Sequence, residues 1–289
     1  MATSKRHHYI PQFYLKGFLN ESNKFYVFDK VSGEIRKSIP LNSFFENHRN
    51  TGTIGNKKLT ILEEMYSHFE NDFAVHLEKI KLVSKLDEIL PETFVNTVRF
   101  ITFLFWRIPD NDEKIERIIS EQTFAEAGFD LIDKKTGKGA VKELQEEMKN
   151  IDMFRKMYRI IIPISSFLDG KWKSDNENWR IYTRGNRNNL TGDNPIIIEK
   201  FINSHILDSD LLFPLSSNKC LIHTKRPKPE QLPREFMFYV DLLILEQSKR
   251  FVCCSDKEYL ETLINHLYPF RGEPDFKNKI TDIVFRHFK

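Results

Sequence analysis

Apolar side chains along this chain recur at two different periods, and the change of period divides it into parts. From about residue 60 to 83, Leu62, Met65, Tyr66, Phe69, Phe73, Leu77 and Ile80 are spaced mostly by three and four, which predicts one buried face of a helix. Pro91 suits the first turn of a second helix reaching Trp106. That stretch is apolar almost all round, so it belongs in the middle of a helical lobe, and Ile108-Pro109-Asp110 ends it. Two charged, amphipathic helices are expected over 111–132 and 140–161, separated by a Lys- and Gly-rich turn at 134–139. Beyond Pro163 the texture becomes strand-like, with segments at 179–183, 190–198 and 219–223 predicting an antiparallel sheet. Residues 230–248 return to helix, 250–255 read as a short strand, and Asp256 is placed to cap a helix ending near Leu267. Near the N-terminus, 24–29 and 34–38 flank the Val31-Ser32-Gly33 turn of a hairpin, and 42–58 reads as a loop packing through Phe44 and Phe45.

These elements predict an α+β fold in which a mostly helical lobe packs against a small antiparallel sheet. A single domain is expected over 1–289, with the helical lobe at about 60–162 and a mixed α/β portion at 1–59 and 163–289. Composition agrees, since 40% hydrophobic content can bury a large core. The net charge of +3 is the small difference between 44 basic and 41 acidic side chains, so any basic groove must be local. The longest intensely apolar run, 100–106, is bracketed by Arg99 and Arg107 and falls far short of the ~20 residues of a membrane span. No membrane partner is expected. The first residues carry no signal-peptide core, so the mature chain is expected to begin at Met1 or Ala2. Adjacent Cys253 and Cys254 with a distant Cys220 give neither a disulfide framework nor a zinc site, which points to a reducing cytoplasm.

Candidate chemistry sits at three places. In His7-His8-Tyr9-Ile10-Pro11-Gln12, Pro11 holds Ile10 extended and can begin a short helix through Phe18, so two imidazoles precede a helix N-terminus where phosphate could sit. Neighbouring residues on an extended backbone point oppositely, so one imidazole, His8, is favoured for the site over His7. On the long helix, Glu63 and Glu70 fall together at the border of the apolar face, as carboxylates aimed into a crevice would. In Gly192-Asp193-Asn194-Pro195 the glycine allows unusual backbone angles and the proline holds Asn194 extended, fixing a carboxylate beside an amide. Each has a structural alternative: imidazoles that pin the terminus, rim glutamates paired with Arg99 or Arg107, and an Asp that closes its own turn. Arg180, Arg184, Arg187 and Lys173 interleave with Trp172, Trp179 and Tyr182, a pattern open to a nucleic-acid strand but better read as a solvated charged face.

The run from Lys5 to Phe18 resembles the opening motif of the domain of unknown function 4238 family. The resemblance continues in order through Phe25–Asp29, Leu62-Glu63, Glu70, Arg107 before Pro109, Gly192-Asp193-Asn194-Pro195 and Phe213-Pro214-Leu215-Ser216. The family pattern has Ser or Thr where this chain has Gly192, and the family name carries no established activity.

Two functions remain open from sequence. One is a metal-assisted phosphodiester hydrolase, nuclease-like, acting on RNA or DNA with Mg or Mn. His8, His7, Asp193 and Arg107 would be catalytic, Asn194, Arg99 and Gln12 would bind substrate, and Glu63, Glu70 and Asp193 would hold metal. The other is a non-enzymatic binding module, regulatory or of host defence, in which the same residues form a closed network around a small anionic ligand. An open cleft favours the first and a dry, fully paired network the second.

Overall fold

The computed structural model describes residues 5–126, 132–168, 176–186, 188–202 and 205–288, and their helices and small antiparallel sheets make an α+β fold. The chain opens with β1 (Arg6–His8), then α1 (Gln12–Leu15) and a 3₁₀ turn to Phe18, as Pro11 implies. The hairpin β2 (Phe25–Asp29) and β3 (Glu34–Ser38) turns at Gly33, whose φ of 76° lies in the left-handed region. The segment expected as a loop carries short strands. β4 (Phe45–Asn47) pairs with β1, and β5 (Gly52–Ile54) with β6 (Lys57–Leu59). Three residues per strand are too few for a period-two pattern to register.

The helical lobe follows: α2 (Ile61–Leu82), α3 (Pro91–Arg107), α4 (Asp112–Glu121), α5 (Lys142–Lys149) and α6 (Asp152–Leu168). Two boundaries differ from expectation. α4 stops at Glu121, and the helix expected over 140–161 is two helices that break at Asn150 and Ile151 and run on through Pro163. Proline inside α6 removes one helical hydrogen bond, but Pro163 is buried where α6 packs against α3.

The remainder is β7 (Trp179–Thr183), β8 (Thr191–Gly192), β9 (Ile197–Ile198), β10 (Leu211–Ser216), β11 (Lys219–His223), α7 (Phe236–Gln247), β12 (Phe251–Cys254), α8 (Lys257–Leu267) and α9 (Phe276–Phe285). Asp256 caps α8 as expected, accepting from the Tyr259 amide at 3.1 Å. Instead of one small sheet there are two of four strands, ordered β7-β11-β10-β9 and β3-β2-β12-β8. The 190–198 stretch serves both: β8 pairs with β12, β9 pairs with β10, and the Gly192-Asp193-Asn194-Pro195 turn carries the chain across. β10 was hidden by Pro214. That residue lies beyond the end of its pairing with β9 and beside a register shift, so its missing N–H breaks no central ladder.

Tyr14 ties the two sheets together. Its fully buried hydroxyl donates to the Pro214 carbonyl of β10 at 2.8 Å and bonds Thr191 Oγ1 of β8 at 2.9 Å, while its ring stacks on Phe213. The three cysteines are free and buried. Among the described residues no helix is long and apolar enough to cross a membrane.

Gly192 is needed for space and not for angle. It lies outside the left-handed region, but a Cβ there would stand 2.2 Å from Ser248 Oγ and 3.0 Å from the Phe251 carbonyl. Gly192→Ala is expected to cost about 1–3 kcal/mol by forcing β8 away from β12. Calorimetric melting checks this, and an unchanged transition would show that the crossing relaxes freely.

Candidate functional site

Arg107, the last residue of α3, is where the motif elements meet. Its side chain is only 4% exposed. One nitrogen, Nη1, pairs with Glu70 Oε1 of α2 at 2.5 Å, the other, Nη2, donates to the His8 carbonyl of β1, and the guanidinium lies 4.3 Å from the centre of the Tyr66 ring. The Arg107 carbonyl in turn accepts from Arg49 Nη2 at 2.9 Å and Nε at 3.2 Å. Arg49 continues to Asp112 and Glu46, and Asp112 also takes Arg159 of α6. Cations and carboxylates here compensate one another around the junction of β1, α2, α3, α4 and α6.

Both imidazoles are buried in this junction, on opposite sides of β1 as extended backbone requires. His7 Nδ1 accepts the Asn50 amide at 2.8 Å, while Asn50 Nδ2 donates to Glu63 Oε2 at 2.7 Å. Glu63 thus lies 3.6 Å from His7 Nδ1, joined through Asn50. His8 Nε2 donates to the Leu41 carbonyl at 3.3 Å, and Gln12 Nε2 donates to His8 Nδ1 at 3.4 Å. Burial lowers the His8 pKa below the ordinary imidazole value; the Arg107 charge adds to this, and the Leu41 carbonyl and Glu70 oppose it. The two glutamates, His7, His8, Gln12 and Arg107 therefore come together. Beside Glu70 and Arg107 lies a small cavity of about 10 Å³, completed by Tyr66 and apolar side chains, room for a water-sized group. The Arg107 Nε and the Tyr66 hydroxyl, and elsewhere in the junction Asn50 Oδ1, are buried without a hydrogen-bond partner among the described residues.

Asp193 stands apart from this network and is used by the backbone. Its Oδ1 accepts the Lys249 amide at 2.9 Å, and its Oδ2 accepts the Arg250 and Phe251 amides at 2.7 and 2.8 Å. The carboxylate thus caps three successive N–H groups where α7 leads into β12. Burial raises its pKa, and the three amides pull it back. On the motif segment Tyr9 senses it: burial raises the pKa of its phenol and the Asp193 charge raises it further. Asn194 donates to Asp110 Oδ2 at 2.7 Å and accepts from Gln247 Nε2 at 2.6 Å, tying the turn to the end of α3.

The metal set expected from sequence does not assemble. Glu63, Glu70 and Asp193 are each engaged by donors of the protein, and among the described residues no three His, Cys, Asp or Glu side chains are arranged to hold a metal. Arg99 is not brought to the site either: it is exposed on α3, stacked on Phe167 of α6 at 5.7 Å. The cationic strand is also committed. Arg180 donates to the Lys228 and Pro229 carbonyls, and Arg184 pairs at 2.7 Å with Asp241 of α7, which also takes the Tyr259 hydroxyl. Trp172, Lys173 and Arg187 lie outside the described residues.

Several residues of these networks were not anticipated. Arg49 and Asn50 sit in the segment read as a loop, which gave no period to orient them. Asp241 did carry a signal, being the lone charge between Phe236 and Leu245 in an otherwise apolar helix. Burial pushes its pKa up to about 6 against the opposing pull of Arg184 and Tyr259.

Asp193→Ala strands three amides and is expected to cost roughly 3 kcal/mol or more, lowering the melting temperature by several degrees. Differential scanning fluorimetry reads this directly, and a wild-type melting temperature would exclude the clamp. For His8 the test is pH. Its folded pKa lies below that of the unfolded chain, so the unfolded state binds more protons as pH falls. The stability contribution is full above an unfolded pKa of about 6.5 and declines below it. Urea unfolding from neutral to acidic pH should show this slope in wild type and a shallower one in His8→Gln, and equal slopes would contradict it.

No curated protein and no solved structure matches the chain. The residues that form the junction and the clamp, from His7 and His8 through Glu70 and Arg107 to Asp193, fall within residues 6–258, which match the model of the family described as Protein of unknown function (DUF4238). That match covers most of the chain, and the protein belongs to this family.

Proposed function

We propose that this protein is a non-enzymatic binding module for a small anion, and that the ligand enters a pocket remote from the His-His strand. The motif residues are poor candidates for turnover because their reactive atoms are already bonded within the fold, around a cavity of only about 10 Å³. A pocket of about 260 Å³ lies instead between β2, α7 and α8, with Phe28, Leu245, Ile264, Leu267 and Tyr268 as its apolar lining and Lys30, Glu246 and Arg271 as its charged groups. Arg271 stands in its wall with no ion-pair partner among the described residues, and this observation carries the reading. Lys30 lies behind it, its ammonium donating to the Leu245, Glu246 and Ser248 carbonyls at the end of α7. Burial lowers the Lys30 pKa and Arg271 lowers it further, while Glu246 and Asp193 pull it back up; the lining charges Lys30, Arg271 and Glu246 leave a net of one positive charge for a bound anion to offset.

An apolar lining with a cation in the wall suits an amphipathic monoanion, such as a medium-chain or aromatic carboxylate. Octanoate should bind saturably and 1-octanol more weakly, with shifts in the nuclear magnetic resonances of Phe28 and Leu267. Arg271→Gln should weaken octanoate binding about tenfold, as loss of a charge-assisted contact does, and leave octanol unaffected. Unsaturable octanoate binding, or equal affinity in Arg271→Gln, would exclude the pocket. Cleavage of RNA or DNA that depends on Mg or Mn and is lost in His8→Ala would favour the phosphodiester hydrolase instead.

A further inference from the structure

We propose that the outer edge of β7 binds an extended polypeptide segment of a partner protein by strand addition, at a surface separate from the anion pocket. β7 is the outer strand of its sheet, paired on one side by β11. The direction of its backbone groups follows from the register. The Arg184 amide donates to Asn218, and the Thr224 amide donates to Asn178, so the even-numbered residues of β7 face β11. In an antiparallel pair the alternate residues then turn their N–H and C=O outward. Trp179, Ile181 and Thr183 therefore present a row of donors and acceptors, and none of these backbone groups has a partner outside the sheet among the described residues.

Exposed edges are ordinarily protected by prolines, bulges or inward-pointing charges, and the residues whose backbone faces outward here are Trp179, Ile181 and Thr183, the first two with side chains buried in the core. The edge opens into a groove of about 1290 Å³ walled by residues 84–87, 230–234 and Met237. Leu86, Leu232 and Met237 offer apolar contacts for alternate side chains of an added strand. Charge selects among occupants. Arg184 is neutralised by Asp241, which leaves Lys85, Arg180 and Arg234 against Asp87 and Glu230, a net of one positive charge that favours a mildly acidic peptide. A second copy of this chain is disfavoured because its own edge is equally recessed between walls. A nucleic-acid strand lacks amides to match the ladder, and Arg180 already serves the Lys228 and Pro229 carbonyls.

The test uses the whole protein and a random-peptide display library as the probe. Selection should enrich acidic peptides of alternating apolar pattern. N-methylation along an enriched peptide should abolish binding at every second residue and spare the residues between, the period of a strand whose amides alternate in direction. Thr183→Pro, at the exposed end of the strand, removes an outward N–H and leaves the bonds to β11, and should weaken the same peptides about tenfold with little change in melting temperature. Failure to enrich any peptide would overturn the proposal. So would N-methyl effects without period two, which need no variant to fold, or a concentration-dependent dimer that Thr183→Pro dissolves.

Discussion

A desolvated guanidinium organises this fold. Arg107 sits at the end of an almost wholly apolar helix, where an unpaired cation would be costly, so its surroundings must supply a carboxylate, a carbonyl and an aromatic face at fixed positions. Glu70 and Tyr66 lie four residues apart on one face of α2 and supply two of the three. The third, the His8 carbonyl, fixes where β1 must run, and the imidazoles then find their partners in Leu41, Gln12 and Asn50. The His-His pair is therefore a consequence of placing Arg107. The planar fork explains why arginine and not lysine suits the position, since one rigid group must reach two elements at once.

A second clamp serves the other half of the molecule. Asp193 collects three amides at the start of β12, Asn194 reaches Asp110, and Tyr14 bonds both sheets, so the turn between β8 and β9 is held from three directions. With most inward-facing polar groups of the motifs occupied in this way, the surfaces proposed for ligands lie elsewhere, at the β7 groove and the pocket beside Arg271.

Much of this was legible before any coordinates. The periodicity of Leu62 to Ile80 places α2 and puts Glu63 and Glu70 on its border, and the spacing of the His-His pair predicts an extended segment ahead of a short helix. The α+β class follows from the change of period near the end of the helical lobe. What the sequence concealed was the purpose of the constrained residues. A carboxylate held rigid by glycine and proline reads alike whether it faces a metal or three amides, because local geometry does not identify the donors that a distant strand brings. The division into two sheets was hidden for a similar reason: Leu190 to Ile198 reads as one strand, and only the partners β12 and β10 distinguish its halves. Arg49 and Asn50, in short strands without period, had no signal to orient them.

The account stands on the motif residues acting as framework, and Arg107 is its most exposed point. Arg107→Met keeps the apolar stem, removes the charge and leaves the Glu70 carboxylate and the His8 carbonyl without their donor. Equilibrium urea unfolding of this variant beside wild type is the direct measurement. A loss of about 3 kcal/mol or more is the expected result. A loss below about 1 kcal/mol, the range of a surface pair, would mean that the guanidinium holds nothing together and that its burial beside two imidazoles serves some other end.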